Sequence, residues 1–292
     1  MCQVRRALVN RIRAAQTMIR NETNLIGWRR GQHTPILITG KLPVIICTWR
    51  RLDRLQRTLG QLAAQDLPVQ VLIWNNSPDR AKVDAEVMKS IIPATVHHSE
   101  RNIGGFGRFY LAREVAEQGH DLAVFIDDDL DFEPGTIGEL VNGHQQRSLS
   151  GWWAFNFRSA DYGSKFQPEP GEIASLIGTG GMIIDTAVFR DARLFRCPRR
   201  YWFVEDLWLS YVAGHLCGYT GFRSSAGFSF DESAEDNHAQ YRVLGHTKVR
   251  FLRYLVRQGW DPVATGAPRP EISRSKPAAR SEHEAGFDVL GG

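Results

Sequence analysis

Four short apolar runs alternate with helix-like segments in the first half of the chain. The runs have the length of buried strands and end in polar or turn-forming residues: 42–49, 69–76, 94–99 and 121–127. The segments between them have the periodicity or the glycine-rich start expected of helices: 51–65, 80–90 and 104–119. Strands that alternate with helices are typical of a parallel sheet with crossover helices. We therefore predict an α/β fold with a mostly parallel central sheet flanked by helices.

Three segments outside this alternation have patterns of their own. Apolar residues at helical spacing alternate with arginines over 1–20, which predicts a basic amphipathic helix. Residues 205–218 predict a further helix, with an acidic start and a glycine stop. The segment 261–292 is rich in Pro, Gly, Ser and Ala, lacks apolar periodicity and predicts a flexible tail. We therefore expect a basic N-terminal helical extension (1–40), one α/β domain (41–260) and the tail.

Composition permits a real core, and the charge is unevenly placed. Hydrophobic residues make up 42% and charged residues 23% of the 292 residues, as in an ordinary globular protein. The formal net charge is only +4, yet residues 1–57 hold 12 basic and 2 acidic side chains. Because this excess is local, we expect the N-terminal helix either to pack on the main domain or to contact anionic lipid head groups. We expect no nucleic-acid partner.

Cysteine usage and hydropathy bear on the cellular location. The four cysteines lie far apart without a C-x-x-C pair, which predicts reduced thiols and neither a zinc site nor a disulfide framework. No apolar stretch is long enough to span a membrane, and the N-terminus lacks the pattern of a secretory signal. We therefore predict a cytoplasmic location, with peripheral contact to an anionic membrane surface as an open alternative.

Polar or glycine-rich segments follow each of the four predicted strands. They begin at Thr48 and continue with 75–79, 102–105 and 127–129. In open α/β sheets, ligands bind outside the carboxyl ends of the strands. Because the ends of parallel strands meet at one edge, these segments predict a single cleft.

The segment "VFIDDDLDF" delivers three consecutive carboxylates to this edge. Each like-charged pair at ~4 Å costs on the order of 4 kcal/mol at an effective dielectric of 20. Either the group is an acidic loop open to water, or a cation holds it together. In an extended chain, Asp127 and Asp129 would converge while Asp128 points away. Two such carboxylates suit Mg²⁺ or Mn²⁺ bound together with a diphosphate.

A second acidic element, Glu205–Asp206, precedes the predicted helix 205–218. Carboxylates are favoured at helix N-termini, so a purely structural use is open. As a functional element, one carboxylate could act as the general base on an acceptor hydroxyl.

Six segments in this order carry a resemblance to a known family: "IICTWRR", "VLIWNNSPD", "RNIGGFGR", "VFIDDDLDF", "IGTGGMIID" and "WFVEDLWLS". They resemble family 2 glycosyltransferases with the GT-A fold over roughly residues 42–255. The glycine-rich "NIGGFGR" together with D-D-D is most similar to the galactofuranosyltransferase-like branch. The chain lacks the Q-x-x-R-W of processive polysaccharide synthases, which favours an enzyme that adds a single sugar.

The resemblance implies a nucleotide-sugar site. Its cofactor-binding and donor-binding residues would be Thr48, Arg50, Asn76, Asp79, Asn102, Gly104, Gly105, Arg108, Asp128, Gly180 and Gly181. In this set Thr48 and Arg50 would lie near the nucleotide, Asp79 near its nucleobase and Asp128 near the donor sugar. A UDP-sugar is the leading donor candidate.

The resemblance also implies a metal and a catalytic pair. Asp127 and Asp129 would hold Mn²⁺ or Mg²⁺, and His238 is the best candidate for a further metal ligand, with His246 behind it. A surface role for His238 remains open, since its surroundings match the family poorly.

Asp206 would be the general base and Glu205 would orient the acceptor. The implied reaction inverts the anomeric centre and transfers a hexosyl or pentosyl group to a hydroxyl of a glycan, a lipid-linked acceptor or a small molecule. Trp152 and Trp202 are candidate stacking platforms for that acceptor.

Three other functions would each account for part of the same sequence pattern. A dehydrogenase would use "GGFGRFY" as its glycine loop, but Tyr110 replaces the third glycine. A phosphatase could use Asp127 or Asp129 as a nucleophile, but the residues that follow do not suit it. A lipid- or nucleic-acid-binding module would explain the basic N-terminus and leave the acidic cleft without a purpose.

Overall fold

A computed structural model describes residues 40–230 and 244–263 of the chain. The predicted N-terminal helix, His238 and nearly all of the predicted tail lie outside these described residues. Within the described ranges, no helix is both long and apolar enough to cross a membrane.

The four predicted strands are present within one residue or two of their expected ends. They are β1 (Leu42–Thr48), β2 (Val69–Asn75), β3 (Ala94–His98) and β4 (Leu122–Asp127). Val44, Ile45 and Ile46 of β1 are fully buried because helices cover both faces of this central strand.

The three helices between these strands are also present. They are α1 (Leu52–Ala63), α2 (Arg80–Met88) and α3 (Gly107–Glu117), and a short 3₁₀ turn, Gly104–Phe106, leads into α3. The leucines of α1 form one buried stripe, as their spacing predicts.

The described residues in the second half of the chain add short strands and three more helices. The strands are β5 (Leu130–Phe132), β6 (Ser148–Gly151), β7 (Ala154–Phe157), β8 (Lys165–Phe166), β9 (Leu176–Ile177), β10 (Met182–Asp185), β11 (Thr220–Arg223) and β12 (Phe228–Phe230). The helices are α4 (Thr136–Asn142), α5 (Glu205–Ser210), which continues as a π-type turn over Tyr211–Leu216, and α6 (Gly245–Arg257).

Seven strands form the central sheet in the order β11-β6-β10-β4-β1-β2-β3. The pairs among β1, β2, β3 and β4 are parallel, whereas β10 runs antiparallel to both of its neighbours. Two apolar cores cover the two faces of this sheet. The predicted α/β fold with a mostly parallel central sheet is confirmed.

Candidate active site

One cavity of about 800 Å³ opens at the carboxyl ends of β1, β2 and β4. Each of the four polar segments predicted to meet at this edge supplies at least one lining residue, so the prediction of a single cleft is confirmed. The second half of the chain closes the cavity with several elements, among them the loop between β9 and β10, the start of α5 and the start of α6.

Arg108, at the start of α3, joins four walls of this cavity. Its Nη2 donates to Asp127 Oδ1 at 2.6 Å, its Nη1 to the carbonyl of Thr179 at 2.6 Å, and its Nε to the carbonyl of Gly105 at 3.2 Å. Its side chain is 3% exposed, and Glu205 Oε1 lies 3.9 Å from Nε. Since these donors point into the protein, Arg108 orders the pocket that it was predicted to line.

Glu205 is a buried carboxylate in the wall of the cavity. Thr179 Oγ1 donates to its Oε1 at 3.0 Å. Burial raises the pKa of Glu205 to about 7, because Arg108 is shared with Asp127 and offsets only part of the desolvation. The contacts of Glu205 are with the protein, so they support a positioning role; orientation of an acceptor by Glu205 stays a prediction.

Asp128 and Asp129 share the guanidinium of Arg51. Arg51 Nη1 lies 3.2 Å from Asp128 Oδ1 and 2.8 Å from Asp129 Oδ2. The Thr48 hydroxyl donates to Asp128 Oδ2 at 2.9 Å. The prediction that Asp128 points away is wrong, because β4 ends at Asp127 and the next two residues form a turn, where strand alternation no longer applies.

The pKa values of the carboxyl groups in this turn are raised mainly by burial. Burial raises the pKa of Asp128 to about 7, against the opposing effect of Arg51. Burial and the neighbouring Asp127 raise the pKa of Asp129. Arg51 therefore neutralises the negative charge of this turn only in part.

Asn76 and Asn102 hold the glycine-rich segment at the cavity. Asn76 Oδ1 accepts the Ile103 N–H at 3.0 Å, and Asn76 Nδ2 donates to the carbonyl of Gly104 at 3.1 Å. Asn102 Oδ1 accepts the Gly104 N–H at 2.8 Å. Both asparagines line the cavity, so the two residues shape the loop and also face the space beside it.

Two glycines permit close approach of carboxylates to the backbone. A Cβ atom at Gly105 would overlap the Glu205 carboxylate, and one at Gly180 would overlap the Asp127 carboxylate. Any side chain at either position would displace the charged groups that Arg108 organises.

Four predicted site residues do not line the cavity within the part of the chain that the structure describes. Asp79 accepts the Lys82 N–H and caps α2, and Arg50 is exposed, with its guanidinium 5.1 Å from the Trp49 ring centroid. Gly181 packs against Trp152, and His246 is exposed on α6. Arg51, one residue beyond Arg50, is the arginine that reaches the aspartates.

The two candidate stacking platforms differ in accessibility. Trp152 lines the cavity, and its Nε1 donates to the carbonyl of Gly180 at 2.9 Å. Trp202 is 3% exposed, and its ring stacks on Phe106 with centroids 5.2 Å apart. The prediction of Trp202 as a platform is wrong, because its ring belongs to the core.

Several lining residues were missed by the sequence analysis. They are Arg51 and Arg54 near the aspartates, and Tyr162, Lys165 and Lys248 on the far side. Arg51 immediately precedes α1 and Arg54 lies on its first turn, a short distance after β1, which is a signal that a search for counterions could have used. Tyr162 lies in a short 3₁₀ turn, Lys165 begins β8 and Lys248 lies on α6, where no pattern marks them.

The donor chemistry of Asp127 and Asp129 fits a hard divalent cation. Among the described residues, no three His, Cys, Asp or Glu side chains are grouped to hold a metal by themselves. Mg²⁺ and Mn²⁺ sites of this kind need only one or two carboxylates plus substrate oxygens. The Asp127 side chain is 38% exposed at the cavity, and the Asp129 side chain is 26% exposed. The partly neutralised carboxylates therefore suit the predicted metal.

Comparison with known proteins gives matches among solved structures alone. No protein-family model and no curated protein sequence matches the chain. The mannosyltransferase PcManGT from Pyrobaculum calidifontis, solved in complex with GDP-Man and Mn²⁺, superposes with a TM-score of 0.55 at 10% identity, over 86% of this chain and 74% of that one. This likeness shows that the chain has the same α/β fold, and it confirms the GT-A-like architecture.

Two weaker structural matches have lower TM-scores. Residues 1–349 of S. aureus TarS match with a TM-score of 0.43 at 17% identity, over 64% of this chain and 58% of that one. HddC from Yersinia pseudotuberculosis matches with a TM-score of 0.42 at 11% identity, over 65% of this chain and 93% of that one.

The raised pKa of Glu205 predicts a pH dependence of stability. Between pH 4.5 and about 7 the folded protein keeps a proton that the unfolded chain has released, so the free energy of unfolding should fall as pH rises through this window. Glu205→Gln should flatten that fall, by up to about 3 kcal/mol across the window, in denaturant unfolding series at several pH values. The exposed Glu100→Gln is the matched control. An unchanged slope in Glu205→Gln would contradict the assignment.

Proposed function

We propose that the protein transfers a single sugar from a nucleotide-diphosphate sugar to an acceptor hydroxyl. The observation that carries this proposal is one cavity, at the carboxyl ends of the parallel strands, that is lined by the Asp127–Asp129 turn and by Asp206. The Asp127–Asp129 turn suits binding of a metal and a diphosphate, and Asp206 suits the role of a general base. A soluble binding module would have no use for both.

The fold likeness supports the donor class. The P. calidifontis mannosyltransferase shares this fold and was solved with GDP-Man and Mn²⁺. For this chain we propose a UDP-sugar first, with Asp127 and Asp129 holding Mn²⁺ or Mg²⁺. When bound, the cation would offset negative charge on the departing diphosphate. Arg51 and Arg54 line the same part of the cavity and would add positive charge there.

Asp206 is the proposed general base. It lines the cavity at the start of α5, and its Oδ1 accepts the N–H of Leu207 at 2.8 Å, which fixes the carboxylate. Asp206 would take the proton of the acceptor hydroxyl while that oxygen forms its bond to the anomeric carbon. The bond from this carbon to the diphosphate breaks on the opposite face, so the anomeric centre inverts.

The finer features of the proposal come from the sequence. We propose a family 2-like enzyme of the galactofuranosyltransferase-like branch that transfers a hexosyl or pentosyl group in the cytoplasm. The acceptor is a glycan, a lipid-linked molecule or a small molecule, and Trp152 is the aromatic platform that remains accessible to it.

We also propose peripheral contact with an anionic membrane. The basic residues of the segment 1–57 support it, and so does a second basic surface among the described residues. Helix α6 contains no acidic residue, and Tyr201 stacks on its Phe251 with ring centroids 3.9 Å apart. Exposed arginines on α6 and on the adjoining 3₁₀ segment form this surface: Arg199, Arg200, Arg250, Arg253 and Arg257.

The donor site is tested by calorimetric titration of UDP, GDP and dTDP with and without Mn²⁺. We expect one nucleotide to bind in a metal-dependent manner, and the double variant Asp127→Ala/Asp129→Ala to abolish this binding. Asp131→Ala is the control, because Asp131 pairs with Arg57 and does not line the cavity. If no nucleotide bound with any metal, the transferase proposal would fail.

The base assignment is tested with Asp206→Asn once a donor is known. Loss of the proton acceptor should lower kcat by about 10²–10⁴-fold, with nucleotide affinity unchanged. Asp161→Asn, at an exposed position outside the cavity lining, should leave kcat unchanged. Near-normal turnover by Asp206→Asn would show that another group accepts the proton.

The membrane contact is tested by sedimentation of the full chain with phosphatidylglycerol vesicles and with neutral phosphatidylcholine vesicles. We expect binding to the anionic vesicles alone, weakened by salt. Each of Arg199→Gln, Arg200→Gln and Arg253→Gln should lower the partition coefficient by about fivefold, whereas Arg80→Gln on α2 should not. Equal binding to both kinds of vesicle would refute the electrostatic contact.

A further inference from the structure

The far side of the cavity carries two lysines on an aromatic wall. Lys165 Nζ lies 4.2 Å from the ring centroid of Phe155, 5.0 Å from that of Tyr162 and 5.9 Å from that of Trp153. Lys248, on the first turn of α6, brings its Nζ to 5.8 Å from the same Tyr162 ring. The two ammonium groups thus share one tyrosine at the cavity surface.

The carboxylates that the structure describes do not balance this pair at contact distance. Within residues 40–230 and 244–263, neither lysine has an ion-pair partner within 4.0 Å. Burial lowers the pKa of Lys165, and the charge of Lys248 lowers it further. Two like charges on an apolar wall are unfavourable by themselves, and a negatively charged ligand between them would relieve the repulsion.

The position of the lysines points to the acceptor end of the cavity. Asp206 is the carboxylate near Lys165 and Tyr162. Its charge raises the pKa of Lys165, against the effect of burial, and raises the pKa of Tyr162 together with burial. The aspartate turn at the other end has its own cations, Arg51 and Arg54. A diphosphate held at that turn would leave the lysines for a different group.

We propose that Lys165 and Lys248 bind a negatively charged group of the acceptor, either the carboxylate of a uronic acid or a phosphate ester, while Tyr162 and Trp153 pack against its sugar ring. This inference rests on the proposed function, because it takes Asp206 as the mark of the acceptor side. It narrows the acceptor from any hydroxyl-bearing molecule to an anionic saccharide. Charge-assisted hydrogen bonds from ammonium groups beside an aromatic face suit such a ligand.

The test measures chemical acetylation of individual lysines by mass spectrometry. The probes are glucuronate, glucose 6-phosphate and neutral glucose at equal ionic strength, with and without UDP and Mn²⁺. We expect each lysine to be protected about tenfold by an anionic sugar, with no protection by glucose. The stronger of the two anions identifies the carboxylate or the phosphate as the preferred group. Lys89, which pairs with Glu86 on the surface, is the internal control.

Two variants complete the test. Lys165→Gln/Lys248→Gln should bind both anionic sugars no better than glucose in calorimetric titrations, and Lys165→Arg/Lys248→Arg should keep the preference for the anions. Equal protection by glucose, or a preference for anions that survives in the glutamine variant, would overturn the proposal. A tenfold loss of UDP affinity in the glutamine variant would assign the lysines to the donor diphosphate and would also overturn it.

Failure of the donor site has a separate signature. If none of UDP, GDP and dTDP bound to the native protein, the transferase proposal would fail, whereas lysine protection by the anionic sugars without nucleotide would still report an anion site. Loss of protection with intact UDP binding would leave the donor site standing and refute the acceptor proposal alone.

Discussion

The buried guanidinium of Arg108 is the interaction on which the geometry of the cavity depends. It links the start of α3 to the end of β4, to the loop between β9 and β10 and to the glycine-rich segment. Breaking a buried ion pair by removal of one partner typically costs about 3–5 kcal/mol, because the other charge is left uncompensated. Asp127 is therefore held in place by Arg108, because separating the two groups would leave a buried charge uncompensated. Parts of the chain from both halves of the sequence meet at this one side chain.

This constraint divides the cavity into two ends of different chemistry. The described residues that line the cavity include five basic and five acidic side chains, so the cavity as a whole is nearly neutral. At one end three aspartates crowd a turn that arginines balance in part, and at the other end two lysines lie on aromatic rings near Asp206. A ligand with a charged group at each end would complement this separation better than a neutral one.

The sequence predicts the parallel half of the fold well and the remainder poorly. Buried apolar runs identify β1 to β4, because strands covered on both faces need continuous apolar residues. The antiparallel insertion of β10 between β4 and β6 has no such mark, since pairing partners are set by tertiary packing. The acidic turn was predicted from its composition, but the direction of Asp128 was wrong because β4 ends at Asp127 and the next two residues form a turn. Lys165 and Lys248 lie far apart in sequence, and only the folded chain brings them to Tyr162.

The arrangement of charges lowers the stability of the protein at the place where ligands are proposed to bind. Burial raises the pKa values of Asp128 and Glu205, which means that their ionised forms are held at a cost in the folded state. A buried structural network would be expected to pair such groups fully. Among the described residues, the carboxyl groups with raised pKa values are those of Asp128, Asp129 and Glu205, and all three line the cavity. A cation at the aspartates and an anion at the lysines would complete the pairing of charges there. A ligand bound at either end then stabilises the fold, more so the tighter it binds. Filling the site therefore offsets the loss of stability that the unpaired charges cause.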